Sequence, residues 1–580
     1  LAVPSDEDRR LRACVHHRRV NLPAPTLPTP ALVTQQAVRR LPRWPLLLLC
    51  AAYVLPGVVG RDPWRNADLA AFGRMAAMAE GRTSWWTPLL GGVAGDNAPL
   101  PHWLGAAFIA LGQALFGTAV DAAFAARVPF ALLLAATMTL VWYATFHLAR
   151  TEAAQPVAFA FGGQAEPVDY ARAMADGALL ALIATLGLLQ LGHETTPELA
   201  QLAAVALFTY GLAAAPYRVA RARLAVLAAL PLLAGSGAPA MAVAIGLGGM
   251  AVCLGSRYPQ VRRFAPWAGA ATLASALVAF GLASWRWRAE VLSADDALSI
   301  ARQWLWFLWP AWPLALWTLW RWRRHLSFRH LSVPLVTVLV ALGANLAMSG
   351  SDRALLLALP GLAVMAAFAL PTMRRSATAA IDWFSMLFFS LGALFIWVMY
   401  LAMQTGVPAK PAANVAKLAP GFEAPFSLLG LLLASAGTVA WLWLLRWRTG
   451  RHRQALWKSL VLPAGGVALC WLLAMTLWLP VLDYARSLRP WVQRIAQHVP
   501  ADACLLAPGL AAPGVAALEH FGRWRIDARP NADAACSHRL LVTRDPATAV
   551  APAGWVLQAE VMRPTEREER TLIYRRRPAP

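Results

Sequence analysis

Long apolar runs alternate along this chain with short basic or polar breaks. A membrane-crossing helix needs about 20 mostly apolar residues. The runs predict about thirteen spans, at 44–60, 127–147, 177–192, 199–215, 222–234, 239–254, 264–284, 304–320, 331–348, 354–371, 383–403, 425–445 and 459–480. One more apolar run, 100–117, is short and carries His102, Gln113 and several glycines. It reads as a helix lying on the membrane surface, with a true span as the alternative. The segment 151–176 holds Glu152, Glu166, Asp169, Arg172 and Asp176 and cannot cross lipid cheaply, so it reads as a polar insertion. After residue 483 the pattern turns to short alternation. WVQRIAQHV and VAALEHFG read as helices, and ACLLAPGL, RWRID, RLLVTRD and TLIYRRR read as strands. The expected fold is an all-α polytopic membrane protein with a small C-terminal α/β domain.

Composition supports this picture. Of 580 residues, 58% are hydrophobic and 14% charged, where a soluble chain carries roughly 25% charged residues. Disorder is excluded by the same numbers. The net charge of +22 is not one patch. It recurs as clusters at Arg39–Arg40, Arg262–Arg263, Arg321–Arg324, Arg374–Arg375 and Arg446–Arg453, between apolar runs. That is the pattern of inner loops under the positive-inside rule, not of a nucleic-acid surface. It predicts a bacterial inner-membrane protein with a cytoplasmic basic segment (1–43), a transmembrane domain (44–483) whose first periplasmic loop is 61–126, and a periplasmic domain (484–580). Many of the 27 tryptophans flank the Arg clusters or helix ends, as interfacial anchors do. Of six cysteines, Cys504 and Cys536 share the outer domain, where a disulfide is expected and two buried thiols are the alternative. The cysteines have no metal-ligand spacing.

With so few charged residues, the acids grouped on one face are the informative ones. The first outer loop carries Asp62, Asn66, Asp68, Asp96 and His102. Glu194 and Glu198 sit with His193 at the tip between the spans 177–192 and 199–215, and Ser351, Asp352 and Arg353 form a third cluster. Loop solvation or helix capping is the plain alternative for each. Asp68 precedes LAAFGRMAAMA, so capping is a rival role there.

The order of these motifs resembles the C-type (GT-C) glycosyltransferases, most nearly the bacterial aminoarabinose transferases that act on lipid A and the protein O-mannosyltransferases. Asp68 stands where the family's catalytic aspartate is expected, followed in order by Trp85-Trp86-Thr87-Pro88, Gly92-Val93 and the DNAPLPHW element from Asp96 to Trp103. AARVPFALLLAATMTLVWYATFHLAR resembles the family's second span, Glu198 falls on its second acid with Glu194 close by, and SGSDRALLLALP resembles a later element with Arg353 near its basic position. The resemblance covers roughly 44–372 well and the remainder loosely. Two family lysines, thought to face the phosphate of the lipid carrier, are absent: Asn97 replaces one, and the turn LAGSGAP (233–239) contains no lysine. Arg353, Arg74, Arg302 or Arg65 are the candidate replacement cations, with Asn97 and His102 beside them.

The resemblance implies sugar transfer from a polyprenyl-phosphate donor to lipid A, another glycan or a protein, by inverting single displacement. Asp68 is then the candidate base. Asp96, Glu198 and Glu194 would orient the acceptor, or Asp68 and Asp96 would hold a divalent metal through oxygen. Arg353 would meet the leaving phosphate. The competing readings are a lipid or glycan transporter or flippase, and a non-catalytic family member. A transporter should gather its polar groups at mid-membrane, and no internal repeat is seen. An enzyme of this kind should gather Asp68, Asp96 and Glu198 in one outer cavity. Asn345, lone in its span, reads as a packing hydrogen bond.

Overall fold

A computed structural model describes residues 29–95, 98–285, 293–449, 455–531, 536–545 and 552–577. The chain begins with helix α1 (Arg43–Val54), α2 (Ala67–Ala79), a small hairpin of β1 (Leu89–Leu90) and β2 (Val93–Ala94), α3 (Pro99–Phe116) and α4 (Ala122–Ala149). Next come α5 (Pro167–Ala184), α6 (Leu186–Leu191), α7 (Pro197–Ala214), α8 (Val219–Gly235), α9 (Pro239–Leu254) and α10 (Ala265–Gly281). They are followed by α11 (Ala294–Phe307), α12 (Ala311–Arg321), α13 (Arg329–Ala347), α14 (Asp352–Leu356) and α15 (Leu359–Ala369). The last long helices are α16 (Arg375–Thr405), α18 (Leu428–Thr449) and α19 (Lys458–Leu477), with α17 (Ala409–Leu418) between the first two. Among the described residues, seven helices are long and apolar enough to cross a membrane: α4, α7, the segment containing α10, α13, α16, α18 and α19. Three shorter apolar helices begin at Arg43, Pro239 and Leu359.

Three expected spans are broken. The run 177–192 is divided at Thr185, and its helix starts at Pro167, inside the expected polar insertion. The run 304–320 is divided between Phe307 and Ala311, where Pro310 has no N–H to donate. These two breaks meet: the Leu186 N–H donates to the Trp309 carbonyl at 2.9 Å. Irregular backbone survives inside a bilayer only when its polar groups find such partners. The run 354–371 is divided between Leu356 and Leu359.

Segments that the charge pattern assigns to one side do touch one another. Ala31 and Val33 carbonyls accept from Val157 and Ala165, and the Leu456 N–H donates to Ala37. Glu80 and Arg82 before α3 and Gly117 and Asp121 after it line the same cleft.

The C-terminal part comprises α20 (Leu479–Arg486), α21 (Arg489–Ala496), α22 (Ala512–Phe521) and a five-stranded sheet. Its strands are β3 (Cys504–Leu506), β4 (Arg525–Asp527), β5 (His538–Thr543), β6 (Trp555–Met562) and β7 (Arg570–Arg576), in the order β4-β3-β5-β7-β6. The pairs β3–β4 and β3–β5 are parallel, and β5–β7 and β6–β7 are antiparallel. Strand β6 was not foreseen. It is an edge strand with a register shift between Leu557 and Ala559, and such a bulge scrambles the two-residue period that sequence reading relies on. Cys504 and Cys536 are disulfide-bonded, joining the first residue of β3 to the residues just before β5. The domain docks on α2 through small residues: a Cβ at Gly73 would lie 2.4 Å from the Ala516 Cβ.

Candidate active site

The loop that follows α1 includes Arg61, whose side chain is fully buried. Its guanidinium donates to the His193 carbonyl, lies 3.7 Å from Asp68 Oδ2 and covers the Trp64 ring at 4.8 Å. Asp68, in the first turn of α2, is 1% exposed. Its Oδ1 accepts from the Thr195 backbone N–H (2.7 Å) and the Thr195 hydroxyl (2.9 Å), and its Oδ2 accepts from the Trp64 N–H (3.1 Å). Asp68 is therefore not a conventional cap. It staples the first loop to the tip between α6 and α7. Three N–H and O–H donors occupy most of the carboxylate's acceptor sites and the Arg61 guanidinium stands beside Oδ2, so Asp68 in this arrangement is a poor fit to a metal ligand. Among the described residues, no three His, Cys, Asp or Glu side chains converge to hold a metal.

The stapled tip presents Glu194 and Glu198. Arg353 binds both, with Nη2 to Glu194 Oε2 at 2.8 Å and Nη1 to Glu198 Oε2 at 3.1 Å. Burial and the nearby Asp68 charge push the Glu194 carboxyl above its usual range, against the pull of Arg353. Arg353 is aimed by the turn before α14. Gly350 adopts φ +88°, which suits glycine. The turn is pinned by Asn345, whose Nδ2 donates to the Ser351 carbonyl (2.8 Å) while its Oδ1 accepts from Trp304 Nε1 (2.7 Å). Asn345 is thus a packing residue, as its isolation in an apolar helix suggests.

A second layer comes from the residues that follow the last long helix, and the sequence reading missed it. Arg486 stacks on the opposite edge of the cluster, 5.0 Å from the Trp64 ring, and its Nη1 donates to Gln190 Oε1 at 2.8 Å. Gln190 Nε2 in turn donates to Glu194 Oε1 at 3.1 Å. Trp64 Nε1 donates to Asp483 Oδ1 at 2.7 Å, and the Asp62 N–H donates to Asp483 Oδ2 at 3.3 Å. Arg489 holds the Asp62 carboxylate with two bonds, at 2.8 and 2.6 Å. Burial, with the Asp62 charge added, pushes Asp483 up to about 7, against the hydrogen bond from Trp64. Asp483 and Arg486 are an i,i+3 pair on α20, a spacing legible in LDYAR. The expected domain boundary at 484 separated them from each other.

The remaining candidates divide. Asp96 and Asn97 lie outside the described residues. Arg74 is buried on α2 against the loop leading to Asp96, since a Cβ at Gly95 would lie 2.2 Å from its Nε. His102 is fully buried in the first turn of α3. Arg302 is exposed on α11 and is not part of the cluster's ion pairs. Asp68, Glu194, Glu198 and Arg353 are brought together around the tip between α6 and α7.

Helices α3, α8 and α10 line an apolar groove of about 610 Å³, with Pro99, Leu100, Trp103, Pro231, Leu232 and Val278 among its walls. The LAGSGAP turn closes one end, and a Cβ at Gly235 would lie 2.5 Å from Leu100 Cδ1.

No family model matches the chain, and no curated protein matches its sequence. Solved structures do match. The crystal structure of ArnT from Cupriavidus metallidurans bound to undecaprenyl phosphate superposes with a TM-score of 0.58 at 15% identity, over 92% of this chain and 96% of that one. The apo form of the same ArnT gives 0.59 at 15% identity, over 91% and 97%. The fold of this chain is accordingly that of ArnT over almost its whole length.

Proposed function

We propose that this protein is a membrane glycosyltransferase that moves a sugar from a polyprenyl-phosphate donor to an acceptor at the outer leaflet, by inverting displacement. One observation carries the reading: carboxylates and guanidiniums from four distant segments (61–68, 190–198, 353 and 483–489) converge at helix ends. A carrier would place its polar groups within the spans.

The acceptor hydroxyl attacks the anomeric carbon as the C1–O bond to the phosphate breaks, and the polyprenyl phosphate leaves with that electron pair. A base must take the hydroxyl proton. Asp68 is 1% exposed, whereas Asp483 is only partly buried, so an acceptor hydroxyl reaches Asp483 more readily and in this proposal Asp68 positions the site through Thr195, Trp64 and Arg61. The base is the Asp62–Asp483 pair, whose Asp483 member titrates near 7, close to the optimum for proton transfer. Negative charge on the leaving phosphate is met by Arg353, Arg486 and Arg65, the last adjoining through its N–H bond to the Arg486 carbonyl. These arginines replace the lysines absent at Asn97 and in the LAGSGAP turn. The apolar groove at Leu100 and Pro231 takes the start of the polyprenyl chain. The acceptor is lipid A or another outer-face glycan.

The test is sugar transfer from a labelled undecaprenyl-phosphate sugar in proteoliposomes. Asp62→Asn and Asp483→Asn should each lower kcat by at least 100-fold with normal folding. Full activity in both variants would remove the pair from the mechanism.

A further inference from the structure

A second cavity, of about 1250 Å³, lies between the first loop and the C-terminal domain. It is separate from the carboxylate cluster. Helix α2 links the two, with Asp68 in its first turn and Glu80 just past its end. At 1.5 Å per residue those positions are about 18 Å apart.

The cavity exists because the domain docks there. The Gly91 N–H donates to Glu519 Oε1 at 3.2 Å, the Ala528 N–H donates to the Gly91 carbonyl at 2.9 Å, and Arg82 bridges Glu80 and Glu519. Its ionised lining is balanced: Glu80, Asp121 and Glu519 against Arg82, Arg523 and Arg525. Arg523 and Arg525 line the space and make none of the ion pairs found among the described residues. Arg523 is held at φ +56°, a conformation that costs a non-glycine residue. It is kept there by the neighbouring Trp524, buried and bonded through Nε1 to the Pro500 carbonyl at 2.8 Å. Thr83, Ser84 and Thr87 add hydroxyls on the facing wall.

We infer that this cleft binds an uncharged carbohydrate segment, the part of the acceptor glycan remote from the reacting hydroxyl. Sugar hydroxyls both donate and accept, and this wall offers fixed carboxylate acceptors and guanidinium donors in equal number. A net-charged ligand would find no matching field. The role of acceptor rests on the glycosyltransferase reading, whereas carbohydrate binding does not. The separation of about 18 Å implies an oligosaccharide, because a single sugar could not touch both sites.

The test uses the full chain in nanodiscs, with chitobiose, cellobiose and maltotriose as probes read by saturation-transfer NMR. At least one probe should bind, Arg525→Ala should weaken it at least fivefold, and Thr87→Trp should block it. Asp62→Asn should leave it unchanged. No binding by any probe, or binding indifferent to both cleft variants, overturns the inference. Donor turnover, measured on the same samples, separates the two ideas. Probe binding without donor turnover in the parent would sink the glycosyltransferase reading and leave a carbohydrate-binding cleft. Turnover without probe binding would do the reverse.

Discussion

Replacing Asp68 by asparagine separates a chemical role from a structural one. The substitution keeps the shape of the side chain. An Asn oxygen can still accept both bonds from Thr195, but the amide nitrogen then faces the Trp64 N–H, two donors head to head. A buried donor left without an acceptor costs about 1–3 kcal/mol. Arg61, fully buried 3.7 Å away, also loses its counter-charge. Removing one partner of a buried pair costs about 3–5 kcal/mol. The two effects overlap, so the expected loss is about 4 kcal/mol rather than their sum. Flipping the amide is worse, since it opposes two Thr195 donors instead of one. Thermal unfolding in detergent, followed by size-exclusion chromatography after heating, should show a large drop in stability. The double variant Asp68→Asn with Arg61→Met should recover part of it, because the stranded charge is gone. A D68N protein as stable as the parent yet inactive in transfer would refute this reasoning and return Asp68 to the role of base.

Three other outcomes follow from the structure. Asp483 is raised from 3.8 to about 7 in the folded state by burial and Asp62. The folded protein therefore binds more protons than the unfolded chain between about pH 4 and 7, and this contribution to stability is full below about 4 and is lost as pH rises through about 7. Asp483→Asn should flatten that part of a stability-versus-pH curve. Gly73→Val should undock the C-terminal domain, since even a Cβ there meets Ala516 at 2.4 Å; limited proteolysis should then release the tail, and an unchanged digest would count against the docking. The Cys504–Cys536 bond closes a separation of 32 residues. By loop-closure entropy its removal should cost about 3–4 kcal/mol of domain stability, read as a lower unfolding midpoint in Cys504→Ala with Cys536→Ala.

Much of the architecture was legible because membrane insertion reads local composition. Apolar runs, Arg clusters and the change of period after 483 are each contained in a short window. So are the disulfide pair and most C-terminal elements. The ordered motifs also grouped Asp68, Glu194, Glu198 and Arg353, and in the structure Arg353 bridges the two glutamates while Asp68 holds the neighbouring Thr195. What each of them does was not legible. Asp68 was read as the base from its position in a motif, but its bonds to Thr195 and Trp64 depend on residues up to 127 positions away.

The tertiary structure alone decided the rest. Asp62 and Asp483 are 421 residues apart, and no period or spacing joins them. The helix breaks at Thr185 and Trp309 meet through the Leu186 N–H and the Trp309 carbonyl, a partnership that neither run shows by itself. The cleft between Glu80 and Arg525 belongs to neither domain until the small residues Gly73 and Ala516 let them meet. Hydrophobic transfer sums over neighbouring residues and is therefore written along the chain. Hydrogen bonds, ion pairs and burial depend on which distant groups arrive together, and only the fold determines that.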